Sequence, residues 1–132
     1  MAVTAATRLL LDTHAFIWWR SAPTRFGPAA RQAIAEAETV YVSMASAWEA
    51  AIKVSIGKLK LDVPFEDGVT ESGFRPLPIG FRHIDHLAAL PYFHRDPFDR
   101  MLIAQALTDG LTIVTDDRRI ANYEVARLPV NA

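Results

Sequence analysis

The sequence predicts an α/β fold in which helices cover both faces of a central, mainly parallel sheet. Three short apolar or β-branched runs, at residues 8–11, 40–42 and 111–115, carry strand character. Helical segments with readable starts and stops alternate with them. Strands and helices in alternation are the order that builds parallel strands joined by crossovers.

The elements follow in turn. Residues 8–11 end abruptly at Asp12 and read as a buried strand. An aromatic-rich segment, 15–19, reads as a short helix. Pro28 opens an alanine-rich helix to Ala37, with proline at the first helical position. After the strand at 40–42, Ser43 or Ser46 caps a helix that carries Trp48, Glu49, Ile52, Lys53 and Ile56 and stops at Gly57. Residues 58–80 carry the least pattern, divided by Pro64, Pro76 and Pro78. Helical periodicity returns at 82–90, before Pro91. Asp96 and Pro97 start a strong helix through Leu107 that Gly110 ends. The strand at 111–115 leads into a short helix at 116–123, and 125–128 read as an edge strand. Repeats, linkers and low-complexity tracts are not found.

The totals suit one domain spanning residues 1–132. The chain is 51% hydrophobic and 22% charged, which fits a globular fold and argues against disorder. Without cysteine, disulfides and thiolate metal sites are excluded. No apolar run approaches the roughly 20 residues that span a bilayer, so no membrane association is expected. Residues 1–7 lack the basic start of a signal peptide, and the expected location is the cytoplasm. The net charge of -1 exerts no global pull toward nucleic acid.

The acidic residues say more. In parallel sheets ligands bind at the carboxyl ends of the strands. Asp12 follows the first strand, and Asp116 and Asp117 follow the strand ending at Thr115. Glu49 lies in the first turns of the helix after the second strand. Asp99 begins a helix that should run antiparallel to the strand after it, so it reaches the same edge. Taken singly, these acids have plainer readings: Glu49 as an ion-pair partner of Lys53, Asp96 and Asp99 as helix-capping residues, Asp116 and Asp117 as caps of the last helix. Asp12 resists such a reading, because a carboxylate at a buried strand end is costly unless paired or bound to a cation. Carboxylates gathered at one rim repel, and Mg²⁺ or Mn²⁺ relieves this through hard oxygen ligation. A competing zinc site would use His83, His86 and His94. Walker and dinucleotide-binding glycine motifs are missing. A second aspartate two residues after Asp12 is missing too, as is the late lysine of a receiver domain.

With these residues in place, the sequence resembles a PIN domain of the VapC toxin type. The likeness rests on Leu9-Leu10-Leu11-Asp12-Thr13-His14, on the segment from Ser43 to Lys53 bearing Glu49, and on Val114-Thr115-Asp116-Asp117. Its most specific part is His94-Arg95-Asp96-Pro97-Phe98-Asp99-Arg100-Met101-Leu102-Ile103-Ala104-Gln105-Ala106. The resemblance implies a PIN-like α/β/α sandwich and a Mg²⁺- or Mn²⁺-dependent endoribonuclease. It implies hydrolysis of RNA phosphodiesters to a 5′-phosphate and a 3′-hydroxyl, a cognate antitoxin partner and a toxin homodimer. Residue by residue, it implies catalytic and metal-binding roles for Asp12, Glu49, Asp99 and Asp117, with Asp116 an additional acid and Asp96 in support. Lys53, Arg95, Arg100, Arg118 and Arg119 flank these acids and are candidates for RNA contact. Aromatic residues near Trp18 and Trp19 are one place for partners to dock. The alternatives are a PIN nuclease outside a toxin pair, acting in RNA processing or on DNA, and a catalytically silent binding module.

Overall fold

In the computed structural model, which describes residues 7–132, five strands form one sheet. They are β1 (Arg8–Leu11), β2 (Thr39–Ser43), β3 (Arg75–Leu77), β4 (Thr112–Val114) and β5 (Arg127–Leu128). The order across the sheet is β3-β2-β1-β4-β5, and every neighbouring pair is parallel. Most of the stretch without basic residues, 1–6, lies outside the described residues.

β1 occupies the middle because its composition suits burial on both faces. Leu9, Leu10 and Leu11 are all fully buried, as a continuous apolar run in a parallel strand requires. Successive side chains point to opposite faces. Leu9 and Leu11 therefore join Phe16, Phe26, Ala30, Val40, Val42 and Val114 in one core layer. Leu10 joins Leu102, Ile103, Ala106, Ile113 and Ile120 in the other.

Six α-helices cover the sheet: α1 (Thr13–Ser21), α2 (Pro28–Glu36), α3 (Met44–Ser55), α4 (Phe65–Glu71), α5 (Phe81–Ala89) and α6 (Pro97–Asp109). Their ends follow local chemistry. Ser43, rather than Ser46, caps α3 by accepting from the Ala45 N–H at 3.0 Å. Asp96 caps α6 by accepting from Phe98 N–H at 2.8 Å and Asp99 N–H at 3.0 Å, with Pro97 at the first helical position. Gly110 ends α6 at φ 68°, a left-handed conformation that glycine adopts without penalty.

Two regions differ from the sequence expectation. Residues 58–80 hold both α4 and β3, and β3 contains Pro76. Proline has no N–H to donate, and β3 accommodates it as an edge strand beside β2. The segment expected as a helix at 116–123 is a 3₁₀ turn, Arg118–Asn122, capped by Asp117.

The zinc site is not assembled. His83 binds Asp109 at 2.8 Å and His86 binds Thr108 at 3.0 Å, clamping α5 to α6, whereas His94 faces the acidic edge. Arg100 is likewise corrected: it is not a surface cation open to RNA. Its guanidinium is buried and donates to the carbonyls of Pro91 at 3.0 Å and Leu87 at 3.4 Å and to the Tyr123 hydroxyl at 3.3 Å. The ring of Tyr92 covers it at 4.5 Å. Arg100 directly follows Asp99, so the helix turns it away from the acidic edge, toward the loop after α5. Among the described residues no helix is long and apolar enough to cross a membrane.

Arg100→Ala would remove three hydrogen bonds donated inside the fold, to the Pro91 and Leu87 carbonyls and the Tyr123 hydroxyl. The expected cost is about 3 kcal/mol of unfolding free energy, measured by urea denaturation. A loss under about 1 kcal/mol would mean that water replaces the guanidinium without penalty.

Candidate active site

The parallel strands bring their carboxyl ends to one edge, and the acids follow from that geometry. β1 runs out into Asp12, β4 into Thr115, Asp116 and Asp117, and β2 into α3, whose second turn carries Glu49. α6 starts at the same edge and presents Asp99 in its first turn. Asp12, Glu49, Asp96, Asp99, Asp116 and Asp117 line one open cavity of about 440 Å³ together with His14, Trp18, Lys53 and Arg119.

Each acid is held differently. Asp12 is buried; its Oδ1 accepts from the Ala15 N–H at 2.8 Å, capping α1, and its Oδ2 accepts from the Thr115 hydroxyl at 2.5 Å. The same hydroxyl oxygen accepts from the Asp117 N–H at 2.9 Å, so one threonine ties two acidic segments together. Glu49 is buried, with Oε2 3.4 Å from Lys53 Nζ. Its Oε1 is buried without a hydrogen-bond partner among the described residues. Asp99 Oδ2 lies 3.1 Å from His94 Nε2, and Asp117 Oδ2 lies 2.8 Å from the same nitrogen. Asp117 Oδ1 also accepts from the backbone and side chain of Arg119, at 2.9 and 3.2 Å.

The two neighbouring aspartates separate here. Asp117 faces His94 and Asp99, whereas Asp116 is exposed and turns Oδ1 to the Val130 N–H at 2.8 Å. Asp96 spends Oδ1 on the cap of α6. Of the cationic candidates, Lys53 and Arg119 line the cavity, while Arg95 and Arg118 are exposed outside its wall.

The electrostatics show an edge built for a counter-charge. Burial, and after it the nearby charges of Asp96, Asp12, Glu49 and Asp117, raises the Asp99 carboxyl to about 8. Burial also raises Asp12, against the hydrogen bonds from Thr115 and Ala15. For Asp117 burial acts upward too, but hydrogen bonds from Arg119 and His94 outweigh it and hold the carboxyl at about 2. An unpartnered buried oxygen on Glu49, beside an acid that retains its proton near neutrality, fits a hard divalent cation bound through carboxylate oxygens.

Several contributors escaped the sequence reading. Thr115 and His14 carry no signal of their own, although Thr115 directly precedes the acidic pair; Trp18, expected at a docking surface, lines the cavity instead. His94 was weighed only as a zinc ligand; its place two residues before the Asp96 cap was the available clue. Phe16 and Trp19 belong to the core region, with Trp19 stacked edge-on to Phe26 at 5.1 Å.

The PIN domain family matches residues 9–126. The chain belongs to the PIN domain family. It is 32% identical over 124 residues to Ribonuclease VapC22 of Mycobacterium tuberculosis, covering 92% of this chain and 95% of that protein. Among solved structures, the PIN domain resembles a chain of VapBC2 from Rickettsia felis bound to a promoter DNA fragment, with TM-score 0.71 and 10% identity over 93% of this chain and 98% of that one. It also resembles a chain of a toxin-antitoxin complex from Klebsiella pneumoniae, with TM-score 0.62 and 17% identity over 91% and 95% of the two chains. A chain of FitAB bound to a DNA fragment gives TM-score 0.62 and 19% identity over 94% and 96%. These structural likenesses establish the fold.

Asp99 makes the metal-free PIN domain sensitive to pH. An acid whose folded pKa is raised from 3.8 to about 8 contributes stability while protonated, and that contribution is lost as pH rises through about 8. In EDTA the melting temperature should therefore fall between about pH 5 and about pH 8. Asp99→Asn should flatten this slope and raise the melting temperature at the alkaline end by about 5 °C. A variant with the wild-type slope would place the proton elsewhere.

Proposed function

We propose that this PIN domain is a Mg²⁺- or Mn²⁺-dependent endoribonuclease acting in the cytoplasm as the toxin of a toxin–antitoxin pair. The observation that carries the reading is the convergence of Asp12, Glu49, Asp99 and Asp117 on one cavity, with a buried Glu49 oxygen left unpartnered. The kinship with a protein named a ribonuclease supports the activity, and the toxin–antitoxin complexes among the structural neighbours support the partner.

Asp12, Glu49, Asp99 and Asp117 are the residues that would hold the metal, with Asp116 and Asp96 supporting the rim. When bound there, a divalent cation supplies acidification of water and neutralisation of charge on the phosphate. The protein's own groups do the placing. Thr115 and the Ala15 N–H fix both oxygens of Asp12, so this carboxylate does not swing. Lys53 and Arg119 stand at the cavity wall and offset repulsion between an RNA phosphate and the acids. Water adds to phosphorus, the P–O3′ bond breaks, and the 3′ oxygen leaves protonated, giving a 5′-phosphate and a 3′-hydroxyl. Among the described residues, no serine or cysteine lines the cavity. Exposed apolar side chains on α3 and α5, among them Trp48, Val54 and Phe81, offer surfaces for an antitoxin and for a second copy of the chain.

Asp12→Asn should reduce cleavage of RNA by more than about 100-fold in Mg²⁺ while the protein stays folded. Unchanged cleavage by this variant would remove the acidic edge from the mechanism. Saturating Mn²⁺ should raise the melting temperature of the wild-type protein, and EDTA should reverse the rise, because binding at about 100 times the dissociation constant adds roughly 2.7 kcal/mol to the native state.

A further inference from the structure

His94 has no exposed surface, and it touches two acids delivered by different elements. Its tautomer follows from its neighbours. Nδ1 lies 3.1 Å from the backbone nitrogen of Asp96, whose N–H can only donate, so Nδ1 is the acceptor and the ring proton resides on Nε2. Nε2–H therefore donates to Asp117 Oδ2 at 2.8 Å, and the same nitrogen lies 3.1 Å from Asp99 Oδ2.

The ring has little freedom to leave this position. The His94 N–H donates to the Tyr123 hydroxyl at 2.9 Å, as does the Phe93 N–H at 3.0 Å. That hydroxyl donates to the Pro91 carbonyl at 2.8 Å, and Arg100 braces the same carbonyl. A buried loop thus aims one N–H at two acids carried by different elements.

We propose that His94 is a positioning residue of the metal centre: its Nε2–H sets the separation and orientation of Asp99 and Asp117, and it does not itself ligate the ion. This rests on the nuclease reading above. A donor in this place orients the ligands that a cation needs.

Two substitutions separate the atoms involved. Asparagine at this position places an acceptor near Nδ1, which keeps the contact to the Asp96 N–H, but nothing near Nε2. Glutamine places an N–H donor near Nε2. Mn²⁺ affinity is measured by calorimetry on the full chain, with folding checked by thermal melting. His94→Asn should weaken Mn²⁺ binding by about 10- to 100-fold, and His94→Gln should stay within about threefold of wild type. Long-range ¹⁵N–¹H spectra of the wild-type ring should show the Nε2 proton both without metal and in saturating Mg²⁺.

Loss of the Nε2 proton on adding Mg²⁺ would mean that His94 ligates the ion, which overturns the proposal even if the variants fail to fold. Wild-type Mn²⁺ binding that His94→Asn leaves unchanged overturns the positioning role alone. An absence of Mn²⁺ binding by the wild type overturns the metal centre, and this role with it.

Discussion

Carboxylates crowded at one edge of a parallel sheet are a standing electrostatic liability, and much of this structure can be read as the means of bearing it. Asp12, Glu49, Asp96, Asp99, Asp116 and Asp117 share one cavity wall. Burial first, and the neighbouring like charges after it, raise the Asp99 carboxyl to about 8. The others are held by donors drawn from the scaffold: a helix N-terminus and Thr115 for Asp12, Lys53 for Glu49, Arg119 and His94 for Asp117. The repulsion is contained because the elements that carry the acids cannot move apart. β1 and β4 are hydrogen-bonded neighbours, buried on both faces.

The support extends well behind the cavity. Tyr123, from the segment after the 3₁₀ turn, holds the loop before α6 through one hydroxyl that meets Phe93, His94, Pro91 and Arg100. Arg100 also reaches Leu87 at the end of α5. A buried cation that donates to two carbonyls and a hydroxyl is costly to remove, since the hydrogen bonds it makes are shielded from water. The loop that presents His94 and Asp96 to the acidic edge is thus anchored on its opposite side. Local stability of this kind is what a group of mutually repelling carboxylates requires.

Cation chemistry divides accordingly between the two sides of α6. Arg100 and Asp99 are adjacent in sequence yet serve different regions, one locked into the protein interior and the other facing the cavity. Lys53 and Arg119 remain at the wall, each already paired to an acid of the site. Their pairing balances the charge of both cations at the cavity wall. Trp18 adds an apolar wall, with Arg25 over its ring at 4.5 Å.

Much of this was legible in the residues alone. A leucine run cut off by aspartate, Asp96-Pro97 before an apolar helix, and Gly110 after it are local signals with local causes, and the elements they mark stand where they point. The convergence of Asp12, Glu49, Asp99 and Asp117 could also be read, because the direction of parallel strands determines which ends share an edge. What only the tertiary structure decided are the pairings that no spacing encodes. It turned Asp116 to Val130 and Asp117 to His94, placed β3 with its proline at the sheet edge, and buried Arg100 under Tyr92. It also converted His94 from a conceivable zinc ligand into a donor between two acids. Local chemistry determines caps and strand ends, whereas a side chain's partner depends on which distant segments the packing brings within about 3 Å of it.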